Sequence, residues 1–254
     1  MKKILLGIAL SVLVLQGCKK DEEEAVAPTT VVADTTDEQN AWDDTSIAKF
    51  LDEHYLDSKG NVVAFDSTIT TDDTEKKLSA YESLVKLASG VIVIKRDAVF
   101  QPDPGKTINT DDAISIMQNT LAYVGAKNTE TGVISLTGGV TFSNTIAGSG
   151  VPVFDPSYYY VKESVLKSYN ATNSTTYGTS FFQIEGLSEG LKYFKSFDLD
   201  NSANYNLQGV IIVPSRAAFA RDVHYPYSNF NWQNRTFVFN FQIYKTKTRT
   251  EAGN

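Results

Sequence analysis

The strongest constraint on the fold is a stretch in which large apolar side chains occupy every second position. Within residues 236–246 these side chains are Phe237, Phe239, Phe241 and Ile243. Successive side chains of a strand point to opposite faces, so this spacing places all four on one face of a β-strand. Such a strand is typical of an antiparallel sheet that is buried on one side.

Other segments after Gly90 have the same strand chemistry, because β-branched and aromatic residues are frequent there and turn residues separate the apolar runs. The clearest strand candidates are residues 91–94, 113–117, 132–136, 209–213 and 236–246. One helix is predicted in this half, over residues 188–194. The pattern therefore predicts an α+β fold in which a curved antiparallel sheet wraps around a short helix.

The segment before Gly90 has helical periodicity instead. A helix beginning at Asp44 or Thr45 would place Ile47, Phe50, Leu51 and Tyr55 on one face. A second helix is predicted over residues 73–89, with a stripe formed by Leu78, Tyr81, Leu84, Val85 and Ala88. Both stripes are interpreted as core, so a small helical segment precedes the sheet.

The first eighteen residues have the features of a lipoprotein export signal. Lys2 and Lys3 precede an apolar stretch over residues 4–15 that is too short to span a bilayer. The stretch ends in Leu15-Gln16-Gly17-Cys18, which resembles the lipobox of bacterial lipoproteins. The resemblance implies cleavage before Cys18 and acylation of its thiol, for example with palmitate. Because Cys18 is the single cysteine, the chain can form no internal disulfide.

The residues after Cys18 have the charge and composition of a linker, and the mature chain would be acidic. Loss of Lys2 and Lys3 would change the formal charge from −7 to −9, which argues against nucleic acid as a partner. Residues 19–24 are two lysines followed by four acidic residues, a run that resembles the signal for display outside the outer membrane and is also typical of a solvated tether. Residues 25–40 indicate a flexible spacer.

Four short blocks of the second half, taken in order, resemble FKBP-type peptidyl-prolyl cis-trans isomerases. They are Val153-Phe154-Asp155, residues 184–191, residues 210–219 and residues 236–243. The resemblance covers about residues 105–247. It implies an FKBP-like fold and catalysis of X-Pro bond rotation without cofactor, metal or covalent intermediate. Such catalysis requires a dry aromatic hollow that favours the twisted amide over the planar one.

The resemblance also assigns roles to individual residues. Phe154 matches an aromatic wall of the hollow, Asp155 the carboxylate beside the substrate carbonyl, and Phe239 an aromatic residue of the floor. Ile184 matches the residue whose backbone N–H binds a substrate carbonyl, and Phe230 lies where the family has the lip of the pocket.

Three positions depart from the family pattern. Leu187 stands where the family has a tryptophan floor, and Phe219 where it has a tyrosine hydroxyl, so one hydrogen bond worth about 1 kcal/mol is lost. Gln118 stands where the family has a tyrosine near the start of the domain. Tyr123 is a possible replacement for that tyrosine, but no role is assigned to it. Residues 156–181 contain no arginine to pair with Asp155, and Lys162 or Lys167 is the available replacement.

The predicted organisation has five parts. These are a signal peptide (1–17), an acidic, flexible tether (18–42), a helical segment with a lead-in strand (43–104), an FKBP-like domain (105–247) and a tail (248–254). The predicted function is a monomeric isomerase on the outer membrane, held by the lipid on Cys18, that acts on proline-containing segments of exported proteins. Surface display is left open.

Other functions stay as alternatives or are set aside. The main alternative is a noncatalytic FKBP-like binding or chaperone module, and a more distant one is a glycan-binding β-sandwich. Phe154 and Asp155 are equally well explained as an ordinary turn. The two histidines, His54 and His224, are too few for a typical zinc site, and the Asp198 loop lacks the glycine and glutamate of a calcium loop.

Overall fold

The computed structural model describes residues 30–249. The predicted signal peptide, Cys18 and the first part of the tether lie outside the described residues, as do residues 250–254 of the tail. No helix within residues 30–249 is long and apolar enough to cross a membrane.

Three helices and twelve strands make up the described chain. The helices are α1 (Thr36–Glu53), α2 (Glu163–Asn173) and α3 (Glu185–Leu191). The strands are β1 (Thr30–Val32), β2 (His54–Leu56), β3 (Val62–Ala64), β4 (Val85–Lys86), β5 (Ile92–Lys95), β6 (Lys106–Thr107), β7 (Asp112–Asn128), β8 (Ile134–Asn144), β9 (Val153–Phe154), β10 (Lys195–Ser196), β11 (Gly209–Val213) and β12 (Thr236–Thr248).

One antiparallel sheet organises the molecule. Its order is β1-β7-β12-β11-β5-β4, and β8 and β9 also pair with β7. Two small ribbons, β2–β3 and β6–β10, stand apart from it. The sheet with its three helices confirms the predicted α+β class. Strands β4 and β5 of the predicted helical segment lie in the same sheet as the strands of residues 105–247.

Both faces of the sheet are buried. The α3-side core contains Phe237, Phe239, Phe241 and Ile243 of β12 together with Leu187 and Leu191 of α3. The α1-side core packs Ile47, Phe50 and Leu51 of α1 against Val238 of β12 and Ile212 of β11. The predicted apolar face of β12 is therefore confirmed, and so is that of α1 except for Tyr55, which lies after the helix on β2. The expectation of a sheet buried on one side is wrong because α1 covers the second face.

Helix α1 begins earlier than the sequence pattern indicated. The Thr35 hydroxyl accepts a hydrogen bond from the Glu38 N–H at 3.1 Å, which caps the helix one residue before Thr36. Strand β1 precedes it and pairs with the end of β7. The described part of the predicted spacer is therefore ordered, because Thr35 starts a helix that the apolar pattern alone placed at Asp44.

Two further expectations about helices are wrong. Residues 73–89 contain a single 3-10 turn, Leu78–Ala80, followed by strand β4. The buried Leu78 and Tyr81 cover the α1-side core from an irregular segment, so apolar spacing alone did not distinguish that segment from a helix. Helix α2 was missed because none of its residues is fully buried, and only Leu166 and Tyr169 pack on a small cluster with Phe181 and Phe182. The predicted short helix over 188–194 is present as α3, shifted toward the N-terminus.

Close contact between α3 and the sheet depends on two glycines one helical turn apart. A Cβ on Gly186 would lie 2.5 Å from Val213 Cγ1, and one on Gly190 would lie 2.8 Å from Ile211 Cγ2. Real Cβ atoms do not approach so closely, so both positions require the absence of a side chain. The glycine face of α3 thereby places its backbone directly on β11.

Candidate functional site

Four of the predicted site residues converge on the α3-side core. Ile184 at the N-cap of α3, Leu187 within α3 and Phe239 on β12 are fully buried, and Phe219 after β11 is nearly so. Phe230 is half-buried and packs against the same core. The structure thus brings together residues from three segments that are distant in the sequence.

Phe154 is not part of this core. It lies at the end of β9, opposite Ser115 of β7, and is 61 % exposed. Asp155 follows with a positive φ of 50°, and its backbone N–H donates to the Ile114 carbonyl at 2.7 Å. The chain therefore turns at Asp155 and directs the Phe154 ring outward, so the predicted aromatic wall is not formed by this residue.

Asp155 is held by an arginine that the sequence reasoning did not identify. Arg249 Nη1 donates to Asp155 Oδ2 at 2.6 Å, and Nη2 bonds Oδ1. The two side chains are only 6 % and 5 % exposed, and the guanidinium carbon lies 3.8 Å from the ring centre of Tyr160. Burial alone would lower the pKa of Arg249, but the bonds and charge of Asp155 outweigh burial and raise it.

The partner of Asp155 is therefore Arg249 rather than Lys162 or Lys167. Lys167 instead bonds Glu163 at 2.5 Å, one turn away on α2. Arg249 reaches Asp155 because β12 pairs with the start of β7, where β9 also pairs. The sequence signal was weak, since Arg249 lies 94 positions after Asp155, in a segment interpreted as a tail.

Six aromatic side chains fill the space beside α3, and we refer to them as the ring cluster: Phe142, Tyr158, Tyr227, Trp232, Phe237 and Phe239. The Phe142 ring has its centroid 5.0 Å from that of Trp232 and 5.1 Å from those of Tyr158 and Phe237, and its plane is nearly perpendicular to all three. Trp232 is fully buried, whereas Phe142 and Tyr227 are half-buried. The cluster therefore combines buried rings with two, Phe142 and Tyr227, that are partly open to solvent.

The backbone and the ring of Tyr158 both contact predicted site residues. Its carbonyl oxygen accepts the Ile184 N–H at 2.8 Å, the same N–H that the family resemblance assigns to a substrate carbonyl. Its ring lies 6.5 Å from that of Phe239, and its hydroxyl bonds the Gln118 side-chain amide. Burial raises the pKa of Tyr158 to about 12, so the phenol stays neutral at physiological pH.

Tyr158 also explains the departure at Gln118, because the phenol that lies beside this position comes from Tyr158. Tyr123 is no substitute: it packs on Phe50 in the α1-side core, with ring centroids 5.7 Å apart. Tyr158 is the first of three consecutive tyrosines, and nothing in the sequence distinguishes it from the other two. The signal for it, a tyrosine three residues after Asp155, was present but not specific.

The hydroxyl missing at Phe219 is not supplied by a neighbouring tyrosine. Tyr227 donates its hydroxyl proton to the Phe182 carbonyl at 2.9 Å, and its oxygen lies 3.0 Å from Ser157 Oγ. The Phe219 ring stacks on His224 with centroids 4.7 Å apart. Within residues 30–249, no group of three His, Cys, Asp or Glu side chains is placed to hold a metal ion. The arrangement offers apolar contact and hydrogen bonding.

Comparison with known proteins gives structural neighbours only. No protein-family model matches the chain, and no curated protein matches it. FkpA from Escherichia coli matches with 14 % identity and a TM-score of 0.35, over 67 % of this chain and 54 % of its own, so this chain spans about half of FkpA. A peptidyl-prolyl cis-trans isomerase from Pseudomonas syringae pv. tomato matches with 12 % identity and a TM-score of 0.33, over 66 % of this chain and 84 % of its own.

Proposed function

We propose that this chain is an FKBP-type peptidyl-prolyl cis-trans isomerase of low activity that acts on exported or cell-envelope proteins. The observation that carries the proposal is the convergence of Ile184, Leu187, Phe219 and Phe239 on one aromatic core beside α3. The buried fork between Asp155 and Arg249 adds support, because it supplies the arginine partner that the loop after Asp155 lacks.

The proposed mechanism requires no covalent step. Rotation about an X-Pro bond crosses a barrier of about 18–20 kcal/mol, since the planar amide is stabilised by resonance and by water. A proline ring placed on Phe142 and Tyr227 would leave water, which favours the less polar, twisted amide. The Ile184 N–H would hold the neighbouring carbonyl so that one side of the bond stays fixed while the other rotates.

Tyr158 is the reason for expecting low activity. A substrate carbonyl can reach the Ile184 N–H only after the Tyr158 carbonyl has left it. That displacement breaks a hydrogen bond worth about 1 kcal/mol and at least one ring contact worth about 0.5–1.5 kcal/mol. Since each 1.4 kcal/mol is a factor of ten in an equilibrium, the open site would be a minor species.

A noncatalytic FKBP-like binding or chaperone module is the second candidate. The observation that favours it is the same intramolecular contact, because a site that is permanently occupied by Tyr158 could still bind proline-bearing segments at the exposed edge of the ring cluster. The half-buried Phe142, Tyr227 and Phe230 are aromatic residues that are partly exposed at that edge. Binding without rate acceleration distinguishes this candidate from an isomerase.

We expect Tyr158→Ala to raise kcat/KM for a proline-containing tetrapeptide about two- to tenfold over the unsubstituted chain, because it removes ring contacts worth about 0.5–1.5 kcal/mol but keeps the backbone carbonyl that bonds the Ile184 N–H. The measurement is a protease-coupled isomerisation assay on the full chain in detergent. Tyr193→Ala, which removes a largely exposed tyrosine, is the matched control and should leave the rate unchanged. Phe142→Leu should abolish most of the activity of both chains.

The result can also decide against catalysis. If neither the unsubstituted chain nor Tyr158→Ala accelerates the reaction, while fluorescence anisotropy detects binding of the same peptide, the binding module replaces the isomerase. Unfolding curves for each variant establish that a lost rate reflects the site and not a lost fold.

The proposed location follows from the N-terminal sequence. We propose that the chain is acylated on Cys18, sits on the outer membrane as a monomer and meets proline-containing segments of exported proteins there. Mass spectrometry of the chain from cells should find a mass increase corresponding to acyl chains on an N-terminal Cys18, and Cys18→Ala should lack it and leave the membrane fraction. An unmodified Cys18 in a soluble chain would contradict the anchor.

A further inference from the structure

A groove of about 660 Å³ lies away from the ring cluster, between the C-terminal end of α1 and residues 64–77. Its wall contains six carboxylates and a single lysine, Lys77. The six are Asp52, Glu53, Asp66, Asp72, Asp73 and Glu75. Glu53 already pairs with Lys49, so five carboxylates face one lysine. Such an excess of negative charge in a concave surface attracts cations, since the low-dielectric walls concentrate the field.

One carboxylate in the groove has an unused acceptor. Asp72 is only 3 % exposed, and its Oδ2 accepts the Asp66 N–H at 2.8 Å. Its Oδ1 is buried and has no hydrogen-bond partner in the described chain. A buried acceptor without a donor costs about 1–3 kcal/mol, so a ligand that brings an N–H to this atom recovers that energy.

The Phe65 ring in the wall of the groove favours a guanidinium over an ammonium group. The Phe65 ring is half-buried, lines the groove and packs on Tyr55 with centroids 5.0 Å apart, so it offers a fixed apolar face. A planar guanidinium can stack on such a ring and still direct N–H donors at carboxylates, whereas a hydrated ammonium lacks the flat face. Within residues 30–249 no trio of acidic, histidine or cysteine side chains is placed for a metal ion.

We propose that this groove binds the guanidinium group of an arginine side chain in an extended polypeptide segment, with Asp72 Oδ1 as its buried acceptor and Phe65 as its stacking surface. This site is independent of the proposed isomerase function. The exposed carboxylates Asp73 and Glu75 lie at the same groove and supply further negative charge.

The test uses a fluorescent tripeptide, acetyl-Gly-Arg-Gly-amide carrying a linker dye, titrated into the full chain in detergent and followed by anisotropy. We expect saturable binding that weakens at least fivefold between 50 and 300 mM NaCl. The citrulline peptide has the same shape without charge and should bind at least tenfold more weakly, as should the lysine peptide. Equal binding of the citrulline peptide would overturn the proposal.

Variants locate the binding site. Asp72→Asn keeps an acceptor for the Asp66 N–H but removes the charge, so it should weaken arginine binding at least tenfold with an unchanged unfolding midpoint. Glu130→Gln, the same chemical change on the exposed β7–β8 turn, is the matched control and should have no effect. If Asp72→Asn does not fold, the exposed pair Asp73→Asn and Glu75→Gln should weaken binding severalfold.

Two further outcomes would also overturn the assignment. Displacement of the peptide by micromolar Ca²⁺ would show that the groove is a metal-cation site. Displacement by micromolar spermidine would show that it is a polyamine site. Binding that is unchanged in both Asp72→Asn and the Asp73/Glu75 double variant would place the peptide elsewhere on the surface.

Discussion

Replacing Asp43 by alanine should lower the free energy of unfolding at pH 7 by about 3 kcal/mol or more, because three donors lose a buried acceptor. Asp43 Oδ2 accepts the Ser215 N–H at 2.9 Å and the Ser215 hydroxyl at 2.6 Å, and Oδ1 accepts the Gln39 amide at 2.7 Å. These bonds connect α1 to the turn that follows β11. Urea unfolding followed by circular dichroism measures the loss, and Asp111→Ala, at an exposed site, should change stability by less than about 0.5 kcal/mol.

Asparagine at position 43 should behave differently from alanine. Burial raises the pKa of Asp43 above its ordinary value of 3.8, although bonds from Ser215 and Gln39 partly oppose this. Between 3.8 and the raised pKa the folded chain holds more protons than the unfolded one, so this contribution to stability is complete below 3.8 and is lost as the pH rises through the folded pKa.

Asp43→Asn removes that titration. We therefore expect its stability at pH 7 to lie within about 1 kcal/mol of the unsubstituted chain. The Gln39 amide can turn to offer its own oxygen, which is now buried without a partner, to the new amide. The decline in stability with rising pH above 3.8 should be smaller in this variant. Equal losses for alanine and asparagine would contradict the role assigned to the acceptor.

Arg249→Met should lower the free energy of unfolding by about 3 kcal/mol, because it leaves the Asp155 carboxylate buried without its cation. The double variant with Asp155→Asn should recover part of that loss, since the uncompensated charge is then absent. A double-mutant cycle from urea unfolding gives the coupling between the two side chains. Lys247→Met, which removes an exposed cation two residues before Arg249, is the control and should be nearly neutral. An Arg249→Met chain as stable as the control would show that the ion pair contributes little.

The parts of the fold that were predicted correctly rest on local periodicity. The alternation of Phe237, Phe239 and Phe241 and the apolar stripe of α1 are each contained within one element, so short windows of sequence suffice to identify them. The helix predicted over residues 73–89 is absent. Leu78 and Tyr81 lie in an irregular segment, and their side chains are buried at a spacing that resembles that of a helix. Helix α2 was missed for the opposite reason, since none of its side chains is fully buried.

The candidate site was predictable only in part. Convergence of Ile184, Leu187, Phe219 and Phe239 followed from the family resemblance, because the order of the blocks carries the topology. The contacts of Arg249 and Tyr158 did not follow, since each depends on how strands that are far apart in sequence pair with β7. Short windows of sequence carry no information on that pairing. They also do not show that the Phe154 ring faces solvent.

Strand β1 has a mechanical consequence for any anchor at Cys18. Only eleven residues separate Cys18 from Thr30, where the sheet begins. Even fully extended, that linker reaches about 40 Å. A lipid on Cys18 would therefore keep the domain within about 40 Å of the bilayer surface. The domain would then reach polypeptides that emerge beside the bilayer but not those that diffuse freely at a distance. A Gly/Ser insert that lengthens this linker would enlarge the volume that the domain can reach without altering the core of the domain.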